Sequence, residues 1–213
     1  MTPLVLASTS PRRKELLALL QIPFDVAEPH FEERIHADIP PEAQARTFAL
    51  EKARSCMPRH VDGLVLGSDT LIAVGEIILG KPADRAQANA MLRRLRGRDH
   101  RIFTAVAVCG AAHEVQDVAM DTVQVWMKPF SDAELEAYLA GDEWHGKAGA
   151  YAIQGRGGGF IERIEGDYTT AVGLPLRLTA SLLRKRGLSV PVDVEQLYRT
   201  MPYPNWSVFS CAG

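Results

Sequence analysis

The chain has 213 residues, of which 46% are hydrophobic, and its formal net charge at pH 7 is −2. This size fits one large α/β domain, or at most two small ones, with a full hydrophobic core. The nearly balanced charge excludes a general attraction to nucleic acid or anionic membranes, so any anion site must be a local cluster. Cys56, Cys109 and Cys211 are odd in number and lack metal-type spacing, which argues against a disulfide scaffold. Without a recognisable signal peptide or an apolar run of roughly 18 residues, the sequence predicts a cytoplasmic protein that contacts no membrane.

The first element of the chain is a predicted strand, residues 4–7, followed at once by a helix. Ser10 suits the N-cap and Pro11 suits the first helical position, so we expect the helix to begin at Pro11. The free N–H groups and the positive dipole end of such a helix favour a bound anion. An ordinary capped helix with solvated basic residues is the alternative. The groups expected beside the helix start are hydroxyls and cations: Ser8, Ser10, Arg12, Arg13 and Lys14.

An acidic pair and a lysine lie between this helix and the strand predicted over residues 64–66. Glu32 and Glu33 follow Phe31 in a stretch that predicts a loop, where a solvated surface is the ordinary interpretation. Lys52 lies on a predicted helix over residues 42–54, and a lone lysine there is also most often a surface residue.

A strand over residues 64–66 leads into Gly67, Ser68, Asp69 and Thr70, which predicts Asp69 at the carboxyl end of a strand. Ligands collect beyond such ends in open α/β sheets, and a carboxylate there can hold a metal or act as a general base. A turn closed by the aspartate is the alternative. A predicted hairpin over residues 71–79 presents Lys81 near Asp69, where a compact positive charge suits phosphate oxygens.

Further strands and helices alternate along the second half of the chain, which predicts an α/β fold with one continuous domain and two lobes around a cleft. The expected helices span residues 84–96, 131–141 and 174–186, and the strands 102–108 and 123–127. We expect the domain to cover residues 1–187. Residues 188–213, with three prolines, predict an irregular extension that packs loosely or caps a neighbour.

The glycine-rich run at residues 155–159 is not a dinucleotide motif, because Phe160 occupies the third glycine position of GxGxxG and no helix is predicted after it. We expect it to let the backbone approach a ligand closely. Gln154, just before it, offers a donor and an acceptor to a base edge. The histidines form no ligand pattern and are interpreted as structural. Together, the cations and acids favour metal-assisted hydrolysis of a phosphorylated small molecule over acyl transfer or redox chemistry.

These residues lie in ordered motifs that resemble the Maf-like nucleoside triphosphate pyrophosphatases. The resemblance implies a mixed, twisted central sheet flanked by helices, with a cleft between two lobes, in the Maf-like or ITPase-like manner. It also implies a homodimer and the hydrolysis of a nucleoside triphosphate to the monophosphate and pyrophosphate with a divalent cation, Mg²⁺ or Mn²⁺. No nucleic-acid partner is expected. The matching motifs are residues 6–13, 32–33, 51–53, 67–70, 80–82, 104–107, 147–155 and 172–176.

Roles for individual residues follow from the same resemblance. Asp69 is the implied proton acceptor that activates water, and Glu33 with Asp69 is the implied metal site. Arg12, Thr70 and Gln154 are similar to the branch that acts on dTTP and UTP, not to the branch that acts on 7-methyl-GTP. Neutral Gln154 suits the mixed donor and acceptor edge of uracil or thymine. The implied triphosphate ligands are Ser8, Arg13, Lys52 and Lys81.

Two other functions stay open at this stage. The first is a nucleotide-binding regulator of septum formation and cell division with little turnover. The second is a house-cleaning enzyme whose substrate is a modified pyrimidine nucleotide.

Overall fold

The computed structural model describes residues 2–57, 63–110 and 115–210, and its centre is a mixed sheet of seven strands. The strand order is β2-β1-β3-β5-β6-β7, and β4 pairs with β3 off this path. β1 is parallel to β2 and β3, whereas the other pairs are antiparallel. The predicted fold class, a mixed sheet flanked by helices, is confirmed. The strands are β1 (Leu4–Ala7), β2 (Asp25–Ala27), β3 (Leu64–Val74), β4 (Ile77–Leu79), β5 (Asp99–Gly110), β6 (Val115–Met127) and β7 (Ile161–Glu165).

Helices cover the sheet on both faces, and several begin where the sequence predicts. The first helix starts at Pro11, and the helix after Ser131 opens with a capping box to Glu134. No helix in the described ranges is long and apolar enough to cross a membrane. The helices are α1 (Pro11–Ala18), α2 (Pro41–Cys56), α3 (Arg85–Leu95), α4 (Asp132–Leu139), α5 (Tyr168–Val172), α6 (Leu176–Lys185), α7 (Val194–Thr200) and α8 (Trp206–Ser210), with 3-10 turns at Ala148–Ala150 and Arg156–Phe160.

Alternation along the strands divides the core into two layers. Leu4 and Leu6 of β1 belong to the larger cluster, whereas Val5 belongs to a smaller one beneath α2. The contact between α2 and β3 depends on Gly67, because a Cβ atom there would lie 2.2 Å from the Ala49 carbonyl oxygen. The missing side chain lets α2 lie close to the sheet, and the polar residues of the two elements meet as a result.

A gap in the sheet lies beside the middle of β3. The expectation that a strand ends at Asp69 is wrong, since β3 continues to Val74 through antiparallel pairing with β5. On its other edge, the described pairing with β1 stops at Gly67 and the pairing with β4 starts at Ile72. Residues 68–71 therefore border a gap, and alternate side chains can reach it from both faces of the sheet.

The C-terminal extension differs from the irregular, loosely packed segment expected from the sequence. It forms α7 and α8, and the N-terminus of α7 is capped by Asp193. Its aromatic side chains Tyr203, Trp206 and Phe209 are buried in the larger core cluster. Burial of these rings outweighs the effect of the prolines, which only set where the helices begin and end. The division of the domain at residue 187 stays a prediction, and residues 211–213, including Cys211, lie outside the described residues.

Candidate active site

A cavity of about 510 Å³ opens at the gap beside β3, between the N-terminus of α1 and the loop that precedes β7. The nine residues predicted to bind or act on the substrate lie on its wall, whereas Lys14 and Glu32 do not line it. The fold therefore brings together residues that are up to 146 positions apart. The predicted residues that line the cavity are Ser8, Arg12, Arg13, Glu33, Lys52, Asp69, Thr70, Lys81 and Gln154.

Four of these side chains form a chain of alternating charge. The Lys52 ammonium donates to Asp69 Oδ1 at 2.5 Å and to Glu33 Oε1 at 2.6 Å. Lys81 closes the chain, with its Nζ 3.2 Å from both oxygens of Glu33. Asp69 and Lys52 are buried, whereas Lys81 is exposed at the rim. Lys52 is therefore an internal bridge between two carboxylates, not the surface lysine of the ordinary interpretation.

This arrangement keeps Glu33 ionised. Burial raises the pKa of Glu33, but attraction and hydrogen bonding from Lys52 and Lys81 together outweigh it, so the pKa lies below its ordinary value. Asp69 Oδ2 is also buried, and it has no hydrogen-bond partner among the described residues. A buried carboxylate oxygen without a donor is costly, and a proton or a cation would satisfy it.

The start of α1 forms the opposite wall. Ser8 Oγ accepts a hydrogen bond from the Ser10 backbone N–H at 3.2 Å. Ser10 is at the N-cap as expected, but its own side chain makes no capping hydrogen bond. Arg13 is held in place by donating to the Gly173 carbonyl oxygen at 3.0 Å and to Thr70 Oγ1 at 3.2 Å. Thr70 thus positions Arg13 from the face of β3 opposite Asp69.

Two further cations on the wall have no carboxylate partner in the part of the chain that the structure describes. They are Arg12 and Lys147. Burial lowers the pKa of Arg12, and the positive charge of Arg13 lowers it further. Burial and the charge of Arg12 likewise lower the pKa of Lys147. These cations repel one another, and a bound anion would relieve that repulsion.

The loop after Tyr151 forms the remaining wall. Gln154 lies there with its Oε1 buried and, within the described ranges, unpaired. Gly155 leaves room for the Glu143 carboxylate, since a Cβ atom there would lie 2.5 Å from one of its oxygens. That carboxylate accepts from the backbone N–H groups of Arg156 and Gly157 at 2.8 and 2.9 Å and so fixes the loop. The glycine run therefore permits a close approach within the protein, and it ends in β7, not in a dinucleotide-binding helix.

The histidines have different positions. His100 is buried, and its Nε2 lies 2.7 Å from the Tyr151 hydroxyl, which agrees with a structural role. Burial lowers the pKa of His100 to about 3, so the ring is neutral. His145, by contrast, lies on the cavity wall and stacks on Trp144.

Two of the cavity's carboxylates, Glu33 and Asp69, meet at the Lys52 ammonium and could hold a metal together. In the described ranges, no group of three or more histidine, cysteine, aspartate or glutamate side chains could form a metal cage. Mg²⁺ commonly binds through one or two carboxylates together with water and substrate phosphates. The donor set, including the unpaired Asp69 Oδ2, therefore fits a hard divalent cation that arrives with a phosphate ligand.

The cavity wall has a positive excess, since five cations face three carboxylates. The cations are Arg12, Arg13, Lys52, Lys81 and Lys147, and the carboxylates are Glu28, Glu33 and Asp69. Fold and cavity define an α/β protein whose central cavity has the charge to hold an anionic ligand. The chain belongs to the family described as Maf-like protein, whose sequence pattern it matches over residues 3–186.

Curated relatives match this chain over most of their own length. It is 45% identical over 191 residues to the dTTP/UTP pyrophosphatase of Symbiobacterium thermophilum, covering 89% of this chain and 97% of that protein. The identity is 44% over 190 residues to the dTTP/UTP pyrophosphatase of Myxococcus xanthus, with 89% and 95% covered. For the dTTP/UTP pyrophosphatase of Pelotomaculum thermopropionicum it is 42% over 190 residues, with 89% and 100% covered.

Lys147 is a cavity residue with no role predicted from the sequence, although it stands at the start of the motif over residues 147–155. Its position depends on the turn that follows, where the Gly149 N–H donates to the Gly80 carbonyl oxygen at 3.1 Å. This hydrogen bond ties the Lys147 loop to the Lys81 loop. A lysine just before a glycine-containing turn was the available signal, but only the fold shows that it reaches the cavity.

Proposed function

We propose that this chain hydrolyses dTTP, UTP and modified pyrimidine nucleoside triphosphates to the monophosphate and pyrophosphate. The observation that supports this most is the convergence of all nine predicted residues on one cavity. The names of the relatives point to the same activity. A homodimer and a location in the cytoplasm stay predictions of the sequence.

In the proposed reaction, a water oxygen attacks the α-phosphorus of the nucleotide, and the bond from that phosphorus to the αβ-bridging oxygen breaks. The Asp69 carboxylate accepts the proton of the water. Lys52 donates to Oδ1 and so orients the carboxylate for this role. The bridging oxygen leaves with the pyrophosphate.

The cations of the wall bind the triphosphate and offset the charge that develops on the leaving pyrophosphate. Arg12 and Lys147 suit this role because they are not neutralised by carboxylates within the described ranges. Ser8, Arg13 and Lys81 contribute the remaining polar contacts. Glu33 and Asp69 would hold a divalent cation, which when bound neutralises phosphate charge and lowers the pKa of water.

Base choice is assigned chiefly to Gln154, on the loop after Tyr151. Gln154 can donate to a base carbonyl and accept from a ring N–H, which is the pattern of uracil and thymine. A buried amide oxygen left unpaired in the free protein would gain its partner from the nucleotide. Thr70 and Arg12 complete the set that favours pyrimidines over 7-methylguanine.

The test is pyrophosphate release by the purified protein across a panel of nucleotides, with Mg²⁺ and Mn²⁺ supplied separately. We expect the highest kcat/KM for dTTP and UTP, and lower values for CTP, GTP, ATP and 7-methyl-GTP. A purine preference would refute the assignment of Gln154. Binding of UTP without pyrophosphate release above background would favour the nucleotide-binding regulator instead.

A further inference from the structure

The segment Tyr203–Asn205 of the C-terminal extension lies beyond residue 186, where the match to the family ends. Its three consecutive residues form hydrogen bonds to three separate parts of the domain. The Tyr203 hydroxyl donates to Glu15 Oε2 of α1 at 2.6 Å. The Pro204 carbonyl oxygen accepts from the Tyr168 hydroxyl of α5 at 2.5 Å.

The third contact reaches the loop of the cavity wall. Asn205 Nδ2 lies 3.0 Å from the Ile153 carbonyl oxygen and 3.5 Å from the Gly155 carbonyl oxygen. These two carbonyls flank Gln154 on either side. The amide of Asn205 therefore holds the backbone from which the Gln154 side chain projects.

The first contact reaches the opposite wall. Glu15 follows Arg12 by three residues on α1, so both side chains lie on the same face of the helix. Tyr203 is buried, and its hydroxyl bonds to Glu15 about one helical turn from Arg12. One short segment thus contacts the two walls that bear Arg12 and Gln154.

We propose that Tyr203 and Asn205 are positioning residues, which hold Arg12 and Gln154 at the separation that a pyrimidine nucleotide requires. This inference rests on the proposed function, because it assigns the segment to the nucleotide-binding end of the same cavity. The residues touch no reacting atom. They affect how well the site is formed before the nucleotide binds. Their loss should therefore raise KM and leave kcat unchanged.

The test uses single substitutions in the full chain, because buried Trp206 makes removal of the extension a threat to folding. Asn205→Gly suits the purpose since the backbone φ at this position is 62°, which glycine adopts without strain and alanine does not. Tyr203→Phe removes only the hydroxyl. The matched control is Tyr198→Phe, which deletes a hydroxyl of the same extension that bonds to Asp167 and Thr169.

Two measurements are made on each variant. Steady-state kinetics should show KM for UTP raised about three- to tenfold in Asn205→Gly and Tyr203→Phe, with kcat within about twofold of wild type, as loss of one preorganising hydrogen bond predicts. Hydrogen exchange of the free protein should show faster exchange in residues 152–157 for Asn205→Gly and in the first turn of α1 for Tyr203→Phe. Tyr198→Phe should leave KM and both segments unchanged.

The exchange measurement needs no turnover, so it separates failure of this inference from failure of the proposed function. Unchanged exchange in residues 152–157 and in α1 would overturn the inference even in an active enzyme. Equal changes in KM for Tyr198→Phe would also overturn it, because they would show a general loss of packing. Faster local exchange in a protein without pyrophosphatase activity would support the positioning role and refute the activity.

Discussion

Replacing Asp69 by asparagine removes one negative charge from the buried chain of ion pairs and keeps the shape of the side chain. Loss of one partner from a buried ion pair typically costs about 3–5 kcal/mol, because the other charge is left uncompensated. Here Lys52 retains Glu33 at 2.6 Å. We therefore expect a loss of only about 1–2 kcal/mol in the free energy of unfolding, below that range. A domain stabilised by about 5–15 kcal/mol would remain folded.

The effect on catalysis should be much larger. An amide cannot accept the proton of the attacking water, and general-base catalysis is typically worth about 10²–10⁴-fold in rate. We expect kcat for UTP to fall by a factor of at least about 10², while UTP still binds. Turnover is measured as pyrophosphate release, binding by calorimetry, and stability by urea unfolding.

Asp117→Asn provides the matched control. Like Asp69, Asp117 is an aspartate on a strand that forms ion pairs. Its partners are Lys185 and Arg186, and it lies outside the cavity. Its replacement should leave kcat unchanged. A near-wild-type kcat for Asp69→Asn, in protein shown to be folded, would refute the assignment of Asp69 as proton acceptor.

Three other outcomes are expected. Lys147→Met should raise KM for UTP about tenfold or more, as loss of a charged hydrogen bond predicts. The control Lys128→Met, outside this cavity, should leave KM unchanged. A wild-type KM in Lys147→Met would remove Lys147 from the site. Gln154→Glu should raise KM for UTP about tenfold, because a carboxylate leaves a base carbonyl without a donor; unchanged kinetics would show that Gln154 does not contact the base. Folded His100 has a pKa of about 3 against an ordinary 6.5, so only the unfolded chain takes up its proton as the pH falls from 6.5. Wild type should lose about 2 kcal/mol of stability between pH 7 and pH 5 through this residue. In urea unfolding His100→Gln should lack that loss, and an equal pH dependence in both proteins would contradict the assignment.

Local signals predicted the parts of the site that depend on neighbouring residues. The start of α1 at Pro11 follows from an N-cap and a proline at adjacent positions, which need no distant partner. The same holds for the capping box at Ser131. The alternation of strands and helices predicted the α/β class, whereas the mixed sheet and the roles of the residues around Asp69 followed from the family resemblance of the ordered motifs.

Features that depend on distant partners were not predictable from local patterns. β3 extends past Asp69 because Thr70 pairs with Thr104, and no local pattern encodes that register. The extension is ordered because Tyr203 meets Glu15, a residue 188 positions earlier in the chain. In such cases tertiary burial overrides the irregular tendency that glycine and proline give to a segment.

The products formed from UTP give the most direct test of a site built to split a nucleoside triphosphate between its α- and β-phosphates. ³¹P NMR of a reaction with Mg²⁺ or Mn²⁺ should show UMP and pyrophosphate appearing in equal amounts, with no UDP. Release of UDP and inorganic phosphate, or no reaction with either cation, would contradict cleavage between the α- and β-phosphates.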